Sequence, residues 1–211
     1  MRQLSLEPVT WRVRALAAGG RTVADSRAAL LALRDGAPPA YAFPEADIER
    51  GALPEAAWRP LEGAPGYSLL DNAHVETFLE EDEPLAGGPR SPYHRVDALA
   101  SARHVRVLVA GEILAESRRP TAVFETDEPA RFYFAQADVR HDLLEPSDTV
   151  TSSPYTGSAV WFSARVGGEL HPDVAWTYRF TIPQLPRIAG LLAFRDELVH
   201  EIEQRPAGDT S

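Results

Sequence analysis

The sequence has no cysteine and no lysine, so all 21 of its basic residues are arginines. Without cysteine there can be no disulfide, thiolate zinc site, iron–sulfur cluster or cysteine nucleophile. Without lysine there can be no Schiff-base chemistry and no lysine of the Walker type to hold a phosphate. A large part of the catalytic repertoire is therefore excluded, and the residues alone do not identify a reaction.

Long hydrophobic runs and an excess of positive charge are also absent. No apolar run approaches the roughly 20 residues needed to cross a bilayer, and residues 1–8 lack the apolar stretch of a signal peptide. The net charge of −10 opposes non-specific binding to nucleic acid or to an anionic membrane. We expect a soluble, cytoplasmic protein whose partner is neither nucleic acid nor a membrane.

Motifs for metals, phosphates and serine nucleophiles are missing as well. The six histidines include no His-Glu-x-x-His pattern, the glycine pairs are isolated, and no Gly-x-Ser-x-Gly occurs. We therefore expect neither a metal site nor a cofactor.

The distribution of proline and glycine favours a mainly β fold with few short helices. The 18 prolines recur between short apolar segments, as is typical of a β-rich chain with many turns. Residues 105–117 predict a hairpin around Gly111. Further strands are predicted at residues 132–134, 159–166, 174–180 and 188–194, whereas residues 197–203 fit the helix and strand periods equally well.

The chain also aligns with itself. Residues 13–27 match residues 105–118 after one gap, and residues 41–48 match residues 132–139, both at an offset of 91 residues. Two ordered matches at one offset predict a tandem duplication of a β unit of about 90 residues. We expect a divergent first copy in residues 1–90 and a fuller second copy, with a connector and a C-terminal tail, in residues 91–211.

Several ordered motifs resemble one bacterial protein family. They are Arg103-His-Val-Arg-Val, Ala115-Glu-Ser-Arg, Phe124-Glu, Phe132-Tyr-Phe, Asp138-Val, Leu144-Glu-Pro-Ser-Asp-Thr, Ser153-Pro-Tyr-Thr-Gly and Ala175-Trp-Thr-Tyr. Together they resemble the bacterial domain of unknown function 427, well over residues 103–203 and weakly over residues 11–53, as in a tandem member. The resemblance implies a mainly β fold similar to the small Mss4-like β-tent and no established reaction.

One motif departs from the pattern of that family. Where the family usually has Cys-Pro-Tyr/Phe-Lys-Gly, this chain has Ser153-Pro-Tyr-Thr-Gly157. A role that needs the cysteine or the lysine is therefore in doubt here. The Pro and Gly still predict a tight turn that presents Tyr155 and the hydroxyls of Ser153 and Thr156, either as ligand contacts or as a plain connector.

Candidate site residues lie on the predicted strands of the second copy. Arg118, Glu125 and Tyr133 fall on three successive predicted strands, where they could form an anion-binding face or, for the Arg–Glu pair, a cross-strand salt bridge. Trp176 and Tyr178 alternate with Thr177 and should share one face, as core residues or as a pocket wall.

Two functional hypotheses of different classes follow. The first is a β protein that binds a small molecule in a pocket formed mainly by residues 104–180. The second is an enzyme that uses Glu125 or Asp148 as a buried general base, with Arg118 as an electrostatic stabiliser. A protein-interaction scaffold through the acidic first copy is a third option, and residues 93–95 are the other candidate location for a site.

Overall fold

The computed structural model describes residues 4–201, and strands and tight turns make up most of it. Strands account for 55% of the residues and helices for 11%, with no helix of seven residues or more. The expected mainly β fold with few short helices is therefore confirmed, whereas the likeness to the Mss4-like tent stays a prediction. Within residues 4–201 no helix is long and apolar enough to cross a membrane.

The chain divides into two compact units, Met1–Tyr93 (unit 1) and His94–Ser211 (unit 2). Unit 1 contains a five-stranded sheet of order β1-β4-β5-β7-β6 and a four-stranded sheet of order β3-β2-β8-β9. Its strands are β1 (Leu4–Pro8), β2 (Val13–Ala17), β3 (Arg21–Ser26), β4 (Leu30–Arg34), β5 (Ala37–Pro44), β6 (Trp58–Pro60), β7 (Tyr67–Leu70), β8 (Thr77–Glu80) and β9 (Glu83–Pro84). Its 3-10 turns are Glu45–Asp47, Glu55–Ala57 and Asn72–His74.

Unit 2 contains a seven-stranded sheet of order β10-β13-β14-β18-β17-β16-β15 and a three-stranded sheet of order β12-β11-β19. Its strands are β10 (Val96–Ala100), β11 (Val105–Val109), β12 (Glu112–Ser117), β13 (Thr121–Glu125), β14 (Arg131–Phe134), β15 (Leu144–Ser153), β16 (Gly157–Val166), β17 (Glu169–Thr181), β18 (Leu192–Phe194) and β19 (Val199–Glu201). Its 3-10 turns are Gln136–Asp138, His141–Leu143, Pro186–Ile188 and Asp196–Leu198.

Most of the predicted strands of unit 2 are present. The hairpin of β11 and β12 is confirmed, and it turns through Ala110 and Gly111, both at positive φ. The strand predicted at residues 188–194 is shorter, because Pro186 starts a 3-10 turn and the regular strand β18 covers Leu192–Phe194. Ala189 forms an isolated bridge with Tyr178. Residues 197–201, which fit both periods, end a 3-10 turn and form β19; residues 202–203 lie outside the described residues.

The two units share a pattern of strand pairing. In each, a hairpin (β2–β3 or β11–β12) carries a register shift at the same place, between Ala15 and Leu16 or between Val107 and Leu108. An isolated bridge joins Ala24 to Ile48 in unit 1 and Ala115 to Val139 in unit 2, again 91 residues apart. Unit 2 differs mainly by the long hairpin strands β15, β16 and β17, where unit 1 has only the short β6.

Each face of the seven-stranded sheet carries its own apolar cluster. The inner face packs against β11 and β12 through a cluster that includes Val107, Leu114, Phe134 and Phe194. The outer face carries a second cluster, which is completed by two residues of the segment between β17 and β18. Its buried members are Val123, Tyr133, Ala159, Trp176, Tyr178, Leu185, Ile188 and Ala193. Because strand residues alternate between faces, β18 serves both clusters.

The inner cluster predicts a large cost for removing one aromatic ring. Phe194 is fully buried and packs edge-to-face against Phe134 at 5.7 Å between ring centroids. Phe194→Ala should lower the free energy of unfolding by about 3–5 kcal/mol, measured by urea denaturation. Phe180→Ala removes the same ring from a position that is 85% exposed, so it should change that free energy by less than about 0.5 kcal/mol. Equal losses in the two variants would contradict this account of the core.

Candidate functional site

The outer face of the seven-stranded sheet brings together several of the predicted site residues. Tyr133 on β14 pairs in register with Ala193 on β18, and Ala193 pairs with Trp176 on β17. Directly opposed residues point to the same face, so the two rings flank the small Ala193. Tyr178 is two residues further along β17, and it shares that face with Trp176. The side chains of Tyr133, Trp176 and Tyr178 are therefore mostly packed within an aromatic cluster.

Hydrogen bonds between hydroxyl groups connect the side chains at the edge of this cluster. Thr156 Oγ1 donates a hydrogen bond to the Tyr178 hydroxyl at 2.9 Å, and both residues are buried. The Tyr133 hydroxyl lies within hydrogen-bonding reach of Trp176 and Tyr178. Burial, and then the neighbouring Tyr178 phenol, raise the pKa of Tyr133 well above its usual value. Tyr133 therefore stays neutral at physiological pH.

The turn between β15 and β16 delivers Thr156 to this network. Ser153 Oγ accepts a hydrogen bond from the Tyr155 backbone N–H at 3.1 Å, which closes the turn. Gly157 follows at φ +109°, and a Cβ there would lie 3.0 Å from the Phe180 carbonyl oxygen. Only glycine fits this approach of the hairpin to β17. Ser153 thus has a structural role, while the two residues after Pro154 face the site.

A histidine–carboxylate pair lies beside the turn. His94 Nε2 and Glu125 Oε1 are 2.8 Å apart, with side-chain exposures of 22% and 17%. The Tyr155 ring stacks on the imidazole, with 3.8 Å between ring centroids and an interplanar angle of 26°. The sequence placed His94 only in the second candidate location for a site, at residues 93–95. Nothing in the sequence indicates that it meets Glu125.

Arg131 is a further residue of this face that the sequence analysis missed. Its guanidinium lies 5.3 Å from the centre of the Trp176 ring and donates two hydrogen bonds to Asp196, at 3.2 and 3.0 Å. Burial alone would lower the pKa of Arg131, but the hydrogen bonds and charge of Asp196 outweigh burial and raise it. Strand alternation could have found this residue, because Arg131 and Tyr133 are two positions apart on β14.

We define the outer-face site as the set of side chains just described. Its members are His94, Glu125, Arg131, Tyr133, Tyr155, Thr156, Trp176 and Tyr178.

Arg118 does not belong to the outer-face site, and the prediction that it lies on a strand is wrong. Strand β12 ends at Ser117, whose Oγ accepts a hydrogen bond from the Arg119 backbone N–H at 3.1 Å. This local turn competes with the strand and leaves Arg118 exposed in the following bend. Within residues 4–201 no ion pair joins Arg118 to Glu125, so the predicted Arg–Glu–Tyr face is not assembled.

Asp148 also lies apart from the outer-face site, and the prediction of a buried base at this position is wrong. The register of β15 and β16 shifts between Pro146 and Val150, which exposes Asp148. Its neighbours Ser147 and Thr149 instead donate hydrogen bonds to Asp173. These two hydroxyls lower the pKa of Asp173.

Open depressions occur elsewhere on both units. One of about 520 Å³ in unit 2 is lined by residues that include Glu112, Glu116, Asp138 and Arg140. Unit 1 has a depression of about 440 Å³ at the equivalent strands, lined by Arg21, Thr22, Ala24, Asp25 and residues 46–49. Because both units have this depression, it follows from their shared strand pairing. In residues 4–201 no group of three or more histidines and carboxylates could hold a metal ion.

Comparison with models of protein families identifies the part of the chain that contains most of this face. Residues 97–205 match the family model described as Domain of unknown function (DUF427). No curated protein matches the chain. The matched range contains every residue of the outer-face site except His94.

A second histidine–carboxylate pair predicts how unit 2 responds to acid. The Glu116 carboxylate binds Arg106 and His104, which hold the pKa of Glu116 below its usual value. A carboxylate with a lowered folded-state pKa adds stability above its unfolded pKa, and this stability is lost as the pH falls through the folded value. Urea denaturation between about pH 6 and about pH 3 should therefore show a steeper loss of stability in the wild type than in Glu116→Gln. Identical slopes would show that the pair is not formed.

Proposed function

Because the chain belongs to the family Domain of unknown function (DUF427), whose description names no reaction, we propose a function from the geometry of the matched domain. The outer-face site of unit 2 binds a small molecule. The support comes from polar groups that differ from those on the equivalent face of unit 1.

The main support for this proposal is a comparison of the equivalent sheet faces of the two units. On the equivalent sheet face of unit 1, Ala42 pairs with Leu69 within a buried aliphatic cluster of Ala32, Ala42, Leu61 and Leu69. The exposed Arg34 and Arg59 line an open depression of about 260 Å³ beside that cluster. Unit 2 has Tyr133 where unit 1 has Ala42, with neighbouring hydroxyls, a guanidinium and a histidine–carboxylate pair. Burying such groups costs free energy that an aliphatic face avoids. A binding role gives a reason for the polar face in unit 2.

The balance of charge indicates the kind of ligand. Arg131 is bound to Asp196, and Glu125 is bound to His94, so the site offers no excess of positive charge. A polyphosphate would need several free cations. The aromatic rings and hydroxyl groups instead suit a neutral or weakly charged molecule with a planar body and a polar edge.

We also propose that unit 1 is a divergent second copy of the same domain, which makes the chain a tandem member of the family. Its support is the shared strand pairing, register shift and isolated bridge at a constant offset. Unit 1 carries Arg34 and Ala42 at the positions of Glu125 and Tyr133, so the copy lacks the carboxylate and the phenol of the outer-face site.

A thermal-shift screen of the full chain against neutral and weakly charged aromatic metabolites tests the proposed function. A ligand of the outer-face site should raise the melting temperature more as its concentration exceeds its dissociation constant. Tyr133 is only 1% exposed and acts on the ligand through its neighbour Tyr178, so Tyr133→Phe should raise the dissociation constant by up to about tenfold, the equivalent of one hydrogen bond of about 1.5 kcal/mol.

Tyr41→Phe is the matched control, because Tyr41 is a buried tyrosine of unit 1 whose hydroxyl donates to Glu80. It should lower stability but leave the dissociation constant unchanged. Unaltered binding by Tyr133→Phe would place the ligand elsewhere.

The difference between the units also predicts the stoichiometry. Isothermal titration calorimetry with a ligand from the screen should give one site per chain, because unit 1 lacks the counterparts of Glu125 and Tyr133. Two equal sites per chain would show that binding does not depend on those residues.

A further inference from the structure

We propose that His94 transfers a proton to and from the bound molecule and that Glu125 is the residue that positions it. This proposal rests on the small-molecule site proposed above. The geometry points to a carbonyl compound as the class of substrate, with His94 acting as a general base toward water.

The contacts of His94 fix both its tautomer and its ring plane. Glu125 Oε1 lies 2.8 Å from Nε2, so in the neutral form of the imidazole the hydrogen is on Nε2 and the lone pair is on Nδ1. The stacked Tyr155 ring restrains the imidazole from one side. A base held in one orientation by a carboxylate is the arrangement that proton transfer requires.

The other histidine–carboxylate pair of unit 2 shows what distinguishes His94. His104 Nε2 also contacts a carboxylate, that of Glu116, but the His104 side chain is only 4% exposed. Glu116 is in addition shared with Arg106, which is typical of a structural ion pair. The His94 side chain is 22% exposed, so a small molecule can reach it although most of its surface is buried.

A hydrogen-bond donor for the substrate lies close along the chain. Thr156, the residue after Tyr155, donates to Tyr178, and Tyr178 lies within hydrogen-bonding reach of Tyr133. The three hydroxyl hydrogens of this trio serve only two links. Of the three residues Tyr178 is the most exposed, at 7%, so we place the remaining hydrogen there, at the edge that the oxygen of a carbonyl compound would have to reach.

The proposed step is hydrolysis, and p-nitrophenyl acetate is a suitable probe. His94 Nδ1 takes a proton from water as the water oxygen bonds to the acetyl carbon. The bond from that carbon to the aryl oxygen then breaks, its electron pair leaves with p-nitrophenolate, and the acetic acid that is formed releases its remaining proton to the solvent to give acetate. His94 afterwards returns its proton to the solvent.

The rate of p-nitrophenolate release by the full chain tests the role of His94. His94→Gln should reduce this rate at least about tenfold relative to the wild type, as for other general bases. His141→Gln is the matched control, because His141 is exposed and its Nε2 contacts a backbone carbonyl oxygen, that of Gln136, in place of a carboxylate. That control should keep the wild-type rate. An unchanged rate in His94→Gln overturns the proposal.

The positioning role of Glu125 needs a readout that loss of stability alone does not move. In ¹⁵N NMR spectra of histidine-labelled protein, His94 should show the tautomer with hydrogen on Nε2, and Glu125→Ala should lose that preference together with activity. Glu116→Ala should retain both. A change in melting temperature without a change in tautomer or rate would leave Glu125 as a structural residue only.

The two proposals can fail separately. If a ligand binds in a Tyr133-dependent way but hydrolysis does not depend on His94, the binding site stands and the proton-transfer role is overturned. If hydrolysis depends on His94 while Tyr133→Phe binds every ligand normally, the proposed binding site at Tyr133 is wrong and the ligand binds around the histidine. If neither dependence is found, both proposals are wrong.

Discussion

The arrangement of unit 2 depends on the three-residue strand β18, which joins the two halves of the seven-stranded sheet. Its neighbours are β14 on one side and β17 on the other. All three of its residues are buried: Leu192 and Phe194 enter the inner cluster, and Ala193 enters the outer one. The small Ala193 leaves room for the rings of Tyr133 and Trp176 on either side. Without this pairing neither the core nor the outer-face site would form.

Unit 1 fills the equivalent sheet face in a different way, because the large and the small side chain of the central pair change places. The pair Ala42 and Leu69 stands where unit 2 has Tyr133 and Ala193, so a small residue still lies beside a large one. Such compensation keeps the packing density of a sheet face while its chemistry changes. One architecture can therefore bury an aliphatic cluster on this face in one unit and an aromatic, hydroxyl-bearing cluster in the other.

Local patterns were enough to predict much of the fold and part of the site. Alternation of apolar residues and a glycine turn predicted the hairpin of β11 and β12, and the Ser153–Gly157 motif predicted the tight turn that carries Tyr155 and Thr156. Tyr133, Trp176 and Tyr178 could be assigned to faces by the period of two along a strand. The prediction that Arg118 lies on a strand was wrong, because a hydrogen bond from the Arg119 backbone N–H to Ser117 Oγ ends β12 one residue earlier.

The sequence by itself determined the fold class, the turns, the excluded chemistries and the positions of the aromatic residues, because each of these follows from composition or from neighbours along the chain. The tertiary structure decided which distant groups meet. His94 and Glu125 are 31 residues apart, and Arg131 and Asp196 are 65 apart. Strand order and register set such distances, and both are fixed by packing over the whole unit, which no local pattern encodes.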